Sequence, residues 1–168
     1  AGAAQTGSLL ELNDQQLATA YDLNFFAPYR FARAVAHCLC KQSHGGQLLF
    51  NISKQSVNPG RNFGAYGLPK SSTLFLMRQL ALELGGDHIR VNGVNADRIR
   101  SGIVTDKFIA SRAKTRGVDE AAYMSGNLLK QEVEAAHVAE AFLMLAQMQR
   151  TTGHVVTVDG GNVEACLR

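Results

Sequence analysis

Three residues between positions 53 and 70 have side chains suited to proton transfer, and their spacing allows them to meet. Ser53 directly follows a short apolar run at residues 47–52, and Lys70 lies four residues after Tyr66. Residues i and i+4 share one face of an α-helix, so Tyr66 and Lys70 point at the same place. A serine at the end of a strand can reach that place from the other side. The spacing therefore predicts a proton-handling trio.

The chemistry of such a trio is coherent. A free phenol has a pKa near ~10 and is a poor base at neutral pH. A neighbouring ammonium group stabilises the phenolate and lowers that pKa. A serine hydroxyl beside them can orient the oxygen of an alcohol or a carbonyl. Tyrosine and lysine also occur four residues apart by chance, so the interpretation depends on the elements that position them.

The pattern of apolar residues predicts alternating helices and strands. We expect strands at 47–52, 88–95 and 154–158, helices at about 17–40, 65–84 and 133–149, and helical patches between 104 and 129. Such alternation implies parallel strands joined by right-handed crossovers, which is an α/β layered fold. Three strands are few for a sheet of this kind.

The first two helices are apolar on most of their sides. Such helices are buried in a core or against a partner subunit. Asn13 or Asp14 is a suitable N-cap for the first helix, and Pro28 should kink or divide it. Asn24 is a polar amide in this apolar run. One interpretation is structural: the amide is hydrogen bonded within the core or bridges backbone groups at the kink. The other is that Asn24 is a site residue.

Composition excludes several classes of protein. The chain has 168 residues and a net charge of +3 spread along its length, which favours one globular domain and argues against nucleic acid or anionic membrane as a partner. No apolar run approaches the roughly 20 residues of a membrane span, and the first residues do not resemble a signal peptide.

Cysteine and histidine usage predicts neither disulfides nor a metal site. Cys38, Cys40 and Cys166 are odd in number and lack paired spacing, which is typical of reduced thiols in the cytoplasm. The five histidines share no ligand spacing. The glycines at 60, 64 and 67 do not follow a strand at dinucleotide-binding spacing, so a flexible loop is the better interpretation.

Four segments of the sequence resemble the short-chain dehydrogenase/reductase family in order and in spacing. They are Asn51-Ile52-Ser53, Tyr66-Gly67-Leu68-Pro69-Lys70, Ile89-Arg90-Val91-Asn92 and residues 152–161. The serine lies 13 residues before the tyrosine, as it does in that family. The resemblance covers essentially the whole chain.

The resemblance implies a role for each residue of the trio and adds a fourth residue. Tyr66 would be the general acid/base, and Lys70 would lower its pKa and contact the nicotinamide ribose. Ser53 would orient the substrate oxygen. Asn24 matches the family's helix asparagine, which helps to hold a proton-relay water.

Further positions match cofactor-binding positions of the family. These are Ala1 and Gly2, at the end of its Asn-Asn-Ala-Gly motif, and Ile99 and Ser101, at its nicotinamide and pyrophosphate contacts, together with Tyr66 and Lys70. Ala96 and Asp97 stand where the family usually has Pro-Gly. The implied cofactor is NAD or NADP, because the residue that selects between them would lie upstream.

By the same resemblance, the family's first four strands and its Gly-rich loop would precede residue 1. We therefore expect residues 1–168 to form one catalytic domain, the C-terminal half of a Rossmann-like doubly wound parallel sheet with helices on both faces. The matching helices, 17–40 and 65–84, pack against a second subunit in the family, so a homodimer or homotetramer is expected.

The amino-acid sequence at residues 66–70, 94–102 and 158–162 is similar to that of the dehydrogenase domain of bifunctional aldolase/short-chain dehydrogenases. That similarity implies a small alcohol or carbonyl substrate such as a lactaldehyde-like 2-hydroxyaldehyde. The alternative is a catalytically inactive fragment that serves as an oligomerisation scaffold. Lys54, Gln55, Arg98 and Arg100 are candidates for contacting substrate or cofactor, or for ordinary solvated or salt-bridged positions.

Overall fold

Three parallel strands form the centre of the fold. In the computed structural model, which describes residues 3–162, they are β1 (Gly46–Asn51), β2 (Ile89–Ala96) and β3 (Val155–Val158). Their order is β1-β2-β3, with β1 pairing with β2 and β2 pairing with β3. The central strand β2 is buried along most of its length. Such burial is expected of a parallel strand covered on both faces.

Six α-helices accompany the sheet: α1 (Asp14–Tyr21), α2 (Ala27–Gln42), α3 (Gly64–Leu84), α4 (Asp106–Arg116), α5 (Glu120–Met124) and α6 (Ala135–Gln147). The predicted strands and long helices are confirmed, with ends that differ by one or a few residues. Helices α4 and α5 account for the helical patches expected between 104 and 129.

Apolar side chains pack on both faces of the sheet. On one face, α2 and α3 cover β1 and β2, and Met77 and Val91 lie at the centre of that cluster. On the other face, α6 packs its Ala141 and Leu145 against Val94 of β2. The predicted α/β architecture with helices on both faces is therefore confirmed.

The predicted first helix is divided just before Pro28. Helix α1 begins at the N-cap Asn13, whose side chain accepts a hydrogen bond from the Gln16 backbone in a capping box. It continues into a π-helical turn, Asp22–Phe26, and α2 then starts with the proline in its first turn. The backbone stays right-handed helical through the π-turn, in which the Ala27 N–H donates to the Asp22 carbonyl five residues earlier. The π-turn contains Asn24.

Helices α2 and α3 leave large apolar side chains exposed within the single chain. Phe31 is 71% exposed, Phe75 is 69% exposed and Leu82 is 78% exposed. These helices are thus covered by the sheet on one face only. Among residues 3–162, no helix is both long enough and apolar enough to cross a membrane.

Candidate active site

A cavity of about 670 Å³ opens where β1 and β2 end. Ser53, Tyr66, Ile99 and Ser101 are among its lining residues. In α/β folds, ligands bind at the carboxyl ends of parallel strands, because loops from neighbouring strands diverge there. The sequence-predicted residues from two separate strand ends are therefore brought to one cavity.

Ser53 is positioned by the turn that follows β1. It is the extended N-cap of a short 3₁₀ turn, Lys54–Ser56, and its hydroxyl accepts a hydrogen bond from the Gln55 backbone at 3.2 Å. The Ser56 hydroxyl in turn donates to the Ser53 carbonyl. These bonds fix the serine at the end of β1, where it lines the same cavity as Tyr66.

Tyr66 lies in the first turn of α3. Its backbone N–H donates to the Phe63 carbonyl at 3.1 Å. Burial raises the pKa of the Tyr66 phenol above its ordinary value, and the hydrogen bond with Ser53 acts in the opposite direction. Removal of the phenol from water therefore outweighs the hydrogen bond in the chain as it stands, and the lowering of this pKa by Lys70 stays a prediction.

Lys70 extends from the next turn of α3 towards the end of β1. Its Nζ lies 5.8 Å from the centroid of the Tyr66 ring and donates to the Asn51 carbonyl at 3.1 Å. Burial lowers the pKa of the Lys70 ammonium. The lysine itself does not line the cavity, but Asn51 does.

Asn24 lies apart from the cavity, in the π-turn beneath α3. It is 2% exposed, and its Nδ2 donates to the carbonyls of Ala3 and Ala20, each at 3.0 Å. Its own backbone carbonyl accepts a hydrogen bond from Thr73 Oγ1 at 2.8 Å. The buried Oδ1 has no hydrogen-bond partner among residues 3–162. The amide thus bridges backbone groups near the kink, which was one of the two interpretations open from the sequence.

The loop that follows β2 is held by a buried ion cluster. Asp97 Oδ2 lies 3.1 Å from Lys54 Nζ and 3.2 Å from Arg98 Nε, and it also accepts a hydrogen bond from the Asn162 amide. The side chains of Asp97, Lys54 and Arg98 are 12%, 13% and 9% exposed. An aspartate that replaces the expected glycine therefore joins the ends of all three strands.

The other candidates around this loop are mostly accounted for by local bonds. Arg100 pairs with Asp106 and Glu132, each at 2.7 Å. Gln55 Oε1 accepts a hydrogen bond from the Gly60 backbone at 2.8 Å. The Ser101 hydroxyl accepts bonds from the backbones of residues 103 and 104.

Two predicted cofactor residues, Ala1 and Gly2, lie outside the described residues. Within residues 3–162, no group of three or more His, Cys, Asp or Glu side chains is placed to hold a metal ion. Cys38 and Cys40 are exposed thiols.

Sequence reasoning missed the wall of the cavity that faces the trio. It is lined by aromatic and cationic side chains from α4, α5 and the loop before α3: Arg61, Phe63, Phe108, Arg112, Arg116 and Tyr123. Phe108, Arg112 and Thr115 recur at helical spacing along α4. That periodicity was the only available signal, and it does not reveal which face of a short helix turns inward.

The residues present fit a nicotinamide cofactor in part. Lys70 uses a single hydrogen bond, to Asn51, within the described residues, so further ammonium N–H groups are available. Ile99 and Ser101 border the same cavity as Tyr66. Donors and an apolar side chain thus lie in and beside the cavity that Tyr66 lines.

A family model and several known sequences are similar to this chain over most of its length. A family model described as enoyl-(acyl carrier protein) reductase matches residues 1–162. An uncharacterised oxidoreductase of Bacillus subtilis is 33% identical over 165 residues, which cover 94% of this chain and 23% of that relative. L-Xylulose reductase of Caenorhabditis elegans is 26% identical over 163 residues, covering 96% of this chain and 62% of the relative. The chain thus spans less than two thirds of the length of these relatives.

Comparison with solved structures gives the same fold. Carveol dehydrogenase from Mycobacterium avium, in complex with NAD, superposes with a TM-score of 0.88 at 23% identity, over 97% of this chain and 62% of that one. A 4-hydroxyisoleucine dehydrogenase mutant complexed with NADH and succinate gives a TM-score of 0.86 at 24% identity, over 100% of this chain and 67% of that one.

Proposed function

The chain belongs to the short-chain dehydrogenase/reductase family, and from that membership we propose that it is the catalytic half of an NAD(P)-dependent oxidoreductase. Hydride would pass between the nicotinamide and a small alcohol or carbonyl substrate. The observation that carries the proposal is that Ser53 and Tyr66 line one cavity on the carboxyl ends of β1 and β2, with Lys70 Nζ 5.8 Å from the centroid of the phenol ring. Solved structures with this fold contain NAD or NADH, which supports the choice of cofactor.

Proton transfer in this proposal depends on the trio. In oxidation, the Tyr66 phenolate accepts the proton of the substrate hydroxyl, while the Ser53 hydroxyl donates a hydrogen bond to the substrate oxygen. The Lys70 ammonium stabilises the phenolate through its charge. In reduction, Tyr66 returns the proton to the oxygen. The nicotinamide, when bound, supplies the hydride chemistry.

The remaining cofactor and relay roles are proposals of the same kind. Ile99 would contact the nicotinamide through its backbone, Ser101 would contact the pyrophosphate, and Ala1 and Gly2 would contribute backbone near the cofactor. Asn24 would anchor a relay water. The unpartnered, buried Oδ1 of Asn24 supports that role, since buried waters are held by polar atoms that lack a protein partner.

For the substrate we propose a lactaldehyde-like 2-hydroxyaldehyde or its alcohol, processed in a polypeptide that also carries an aldolase domain. The supporting observation is the match to the Bacillus subtilis oxidoreductase, in which the matched region is only 23% of the protein. A cytoplasmic location stays a prediction from the cysteine usage. Assembly as a dimer or tetramer through α2 and α3 is proposed from their exposed apolar side chains.

A second candidate function is a non-catalytic scaffold. The exposed Phe31, Phe75 and Leu82 favour it, because they suit assembly without any chemistry. Fluorescence titration of the full-length polypeptide with NADH and with NADPH separates the two functions. The oxidoreductase requires saturable binding of at least one of them at micromolar concentrations, and absence of binding to both would leave the scaffold. The same titration of residues 1–168 alone shows whether this half binds without further chain.

A further inference from the structure

The cavity carries an excess of positive charge. Among the described residues, five cationic side chains and one carboxylate line it: Lys54, Arg61, Arg98, Arg112, Arg116 and Asp97. The carboxylate is already bonded to Lys54 and Arg98. It therefore balances charge at the end of β2, so the cavity lining among the described residues offers no further carboxylate to Arg61 and Arg112 on the opposite wall.

Among these arginines, Arg112 is the one best placed to bind an anion in the cavity. Its guanidinium carbon lies 5.2 Å from the centroid of the Phe63 ring. Its Nε is buried and has no hydrogen-bond partner among residues 3–162, and no carboxylate in that range forms an ion pair with it. A buried charged donor without an acceptor is costly, and the contact with the aromatic face compensates for only part of that cost.

Phe63 links Arg112 to the proposed catalytic tyrosine. The phenylalanine immediately precedes α3, it is 8% exposed, and its carbonyl accepts the hydrogen bond from the Tyr66 backbone. Its ring also packs edge-to-face against Phe108, one turn before Arg112 on α4, with the centroids 5.8 Å apart. The guanidinium is therefore held over the Phe63 ring, next to the helical turn that carries Tyr66.

We propose that the substrate carries an oxyanion, a carboxylate or a phosphate, which binds to Arg112 while its hydroxyl or carbonyl group meets Ser53 and Tyr66. The planar guanidinium matches both anions through paired N–H donors. A neutral analogue would leave Nε without an acceptor, and sites that lose a buried polar partner in this way discriminate strongly. This inference rests on the proposed oxidoreductase function and adds to the lactaldehyde-like substrate an anionic group that lactaldehyde itself lacks.

Three probes of similar size test the proposal: glycerol, glycerate and glycerol 3-phosphate. Their binding to the full-length polypeptide is measured by calorimetry, with and without saturating NADH or NADPH. We expect glycerate or glycerol 3-phosphate to bind at least about tenfold more tightly than glycerol, and the tighter of the two identifies the anion. Arg112→Gln should weaken binding of that anion about tenfold to hundredfold and leave glycerol unchanged. Arg112→Lys keeps the positive charge but loses the paired N–H donors of the guanidinium. Its affinity for the anion should lie between those of the wild type and Arg112→Gln.

Lys107→Gln is the matched control, since it removes one positive charge from an exposed position of α4 outside the cavity. It should not change the preference for the anion. The proposal is overturned by equal affinity for all three probes, by an anion preference that survives in Arg112→Gln, or by anion binding that competes with NADH or NADPH. If Arg112→Gln does not fold, a partial loss of the anion preference in Arg112→Lys supports the proposal, and an unchanged preference contradicts it.

Failure of this inference is distinguishable from failure of the proposed function. If the enzyme oxidises neutral alcohols as readily as anionic ones, the oxidoreductase function is supported and the proposal of an anionic substrate is contradicted. Calorimetry detects the anion preference whether or not hydride transfer occurs.

Discussion

The Lys70 ammonium lies 5.8 Å from the centroid of the Tyr66 ring, one helical turn further along α3. Burial raises the pKa of the phenol and lowers the pKa of the ammonium, so it favours the neutral form of both groups. The opposing influence at the phenol is the hydrogen bond with Ser53. Proton transfer at this site therefore depends on how that bond and the lysine charge counteract burial.

The first prediction concerns the pH dependence of alcohol oxidation. Oxidation needs the Tyr66 phenolate, and the Ser53 hydrogen bond lowers the pKa of the phenol. Ser53→Ala removes that bond, so the pKa rises further and a larger fraction of Tyr66 stays protonated at neutral pH. The rising limb of kcat/KM against pH should move to higher pH, as measured with an alcohol substrate between about pH 6 and about pH 10.

Ser72→Ala is the control for this profile, because the half-buried Ser72 hydroxyl lies on α3 outside the cavity, donates to the Leu68 carbonyl and is 3.4 Å from the Tyr21 hydroxyl. The rising limb of kcat/KM against pH for Ser72→Ala should coincide with that of the wild-type enzyme. A Ser53→Ala enzyme with lower activity but an unmoved limb would show that the serine orients substrate without affecting the phenol.

The second prediction concerns the ion cluster at the end of β2. Asp97→Asn leaves the charges of Lys54 and Arg98 largely buried without their counter-ion. We expect the free energy of unfolding to fall by about 3 kcal/mol, as is typical when one member of a buried ion pair is removed. Urea unfolding monitored by circular dichroism measures the change.

Asp106→Asn is the matched control, since that carboxylate also pairs with an arginine, Arg100, but is 87% exposed. Exposed pairs contribute about 1 kcal/mol or less. Equal losses in the two variants would contradict the structural role of Asp97.

The third prediction concerns assembly. Phe75 and Leu82 are seven residues apart on α3 and therefore share a face, and both are exposed in the single chain. Leu82→Glu places a charge in the proposed interface and should reduce the mass measured by light scattering to that of the monomer. Leu10→Glu, at a leucine that is 97% exposed outside α2 and α3, should leave the mass unchanged. A wild-type protein that is already monomeric would disprove the interface.

The sequence alone was sufficient to predict those parts of the site whose residues lie close together along the chain. Tyr66 and Lys70 could be paired because a helix repeats every four residues, and Ser53 because an apolar run ends beside it. The ion cluster could not be found in this way, since Lys54 and Asn162 lie 43 and 65 residues from Asp97 along the chain. Arg112 was missed for a related reason: its orientation depends on how α4 packs against Phe63. The direction of the Tyr66 pKa likewise follows from burial, which spacing does not reveal.

The most direct test of the central claim is Tyr66→Phe in the full-length polypeptide. This substitution removes the hydroxyl that would accept or donate the substrate proton and keeps the ring that packs in the cavity. With a lactaldehyde-like substrate or its anionic analogue, whichever the wild-type enzyme turns over, and NAD or NADP, steady-state turnover followed by NAD(P)H absorbance should fall by at least about a hundredfold, the lower end of what a general acid/base contributes. Binding of NADH or NADPH should persist. Turnover near the wild-type rate would contradict the assignment of Tyr66 as the general acid/base.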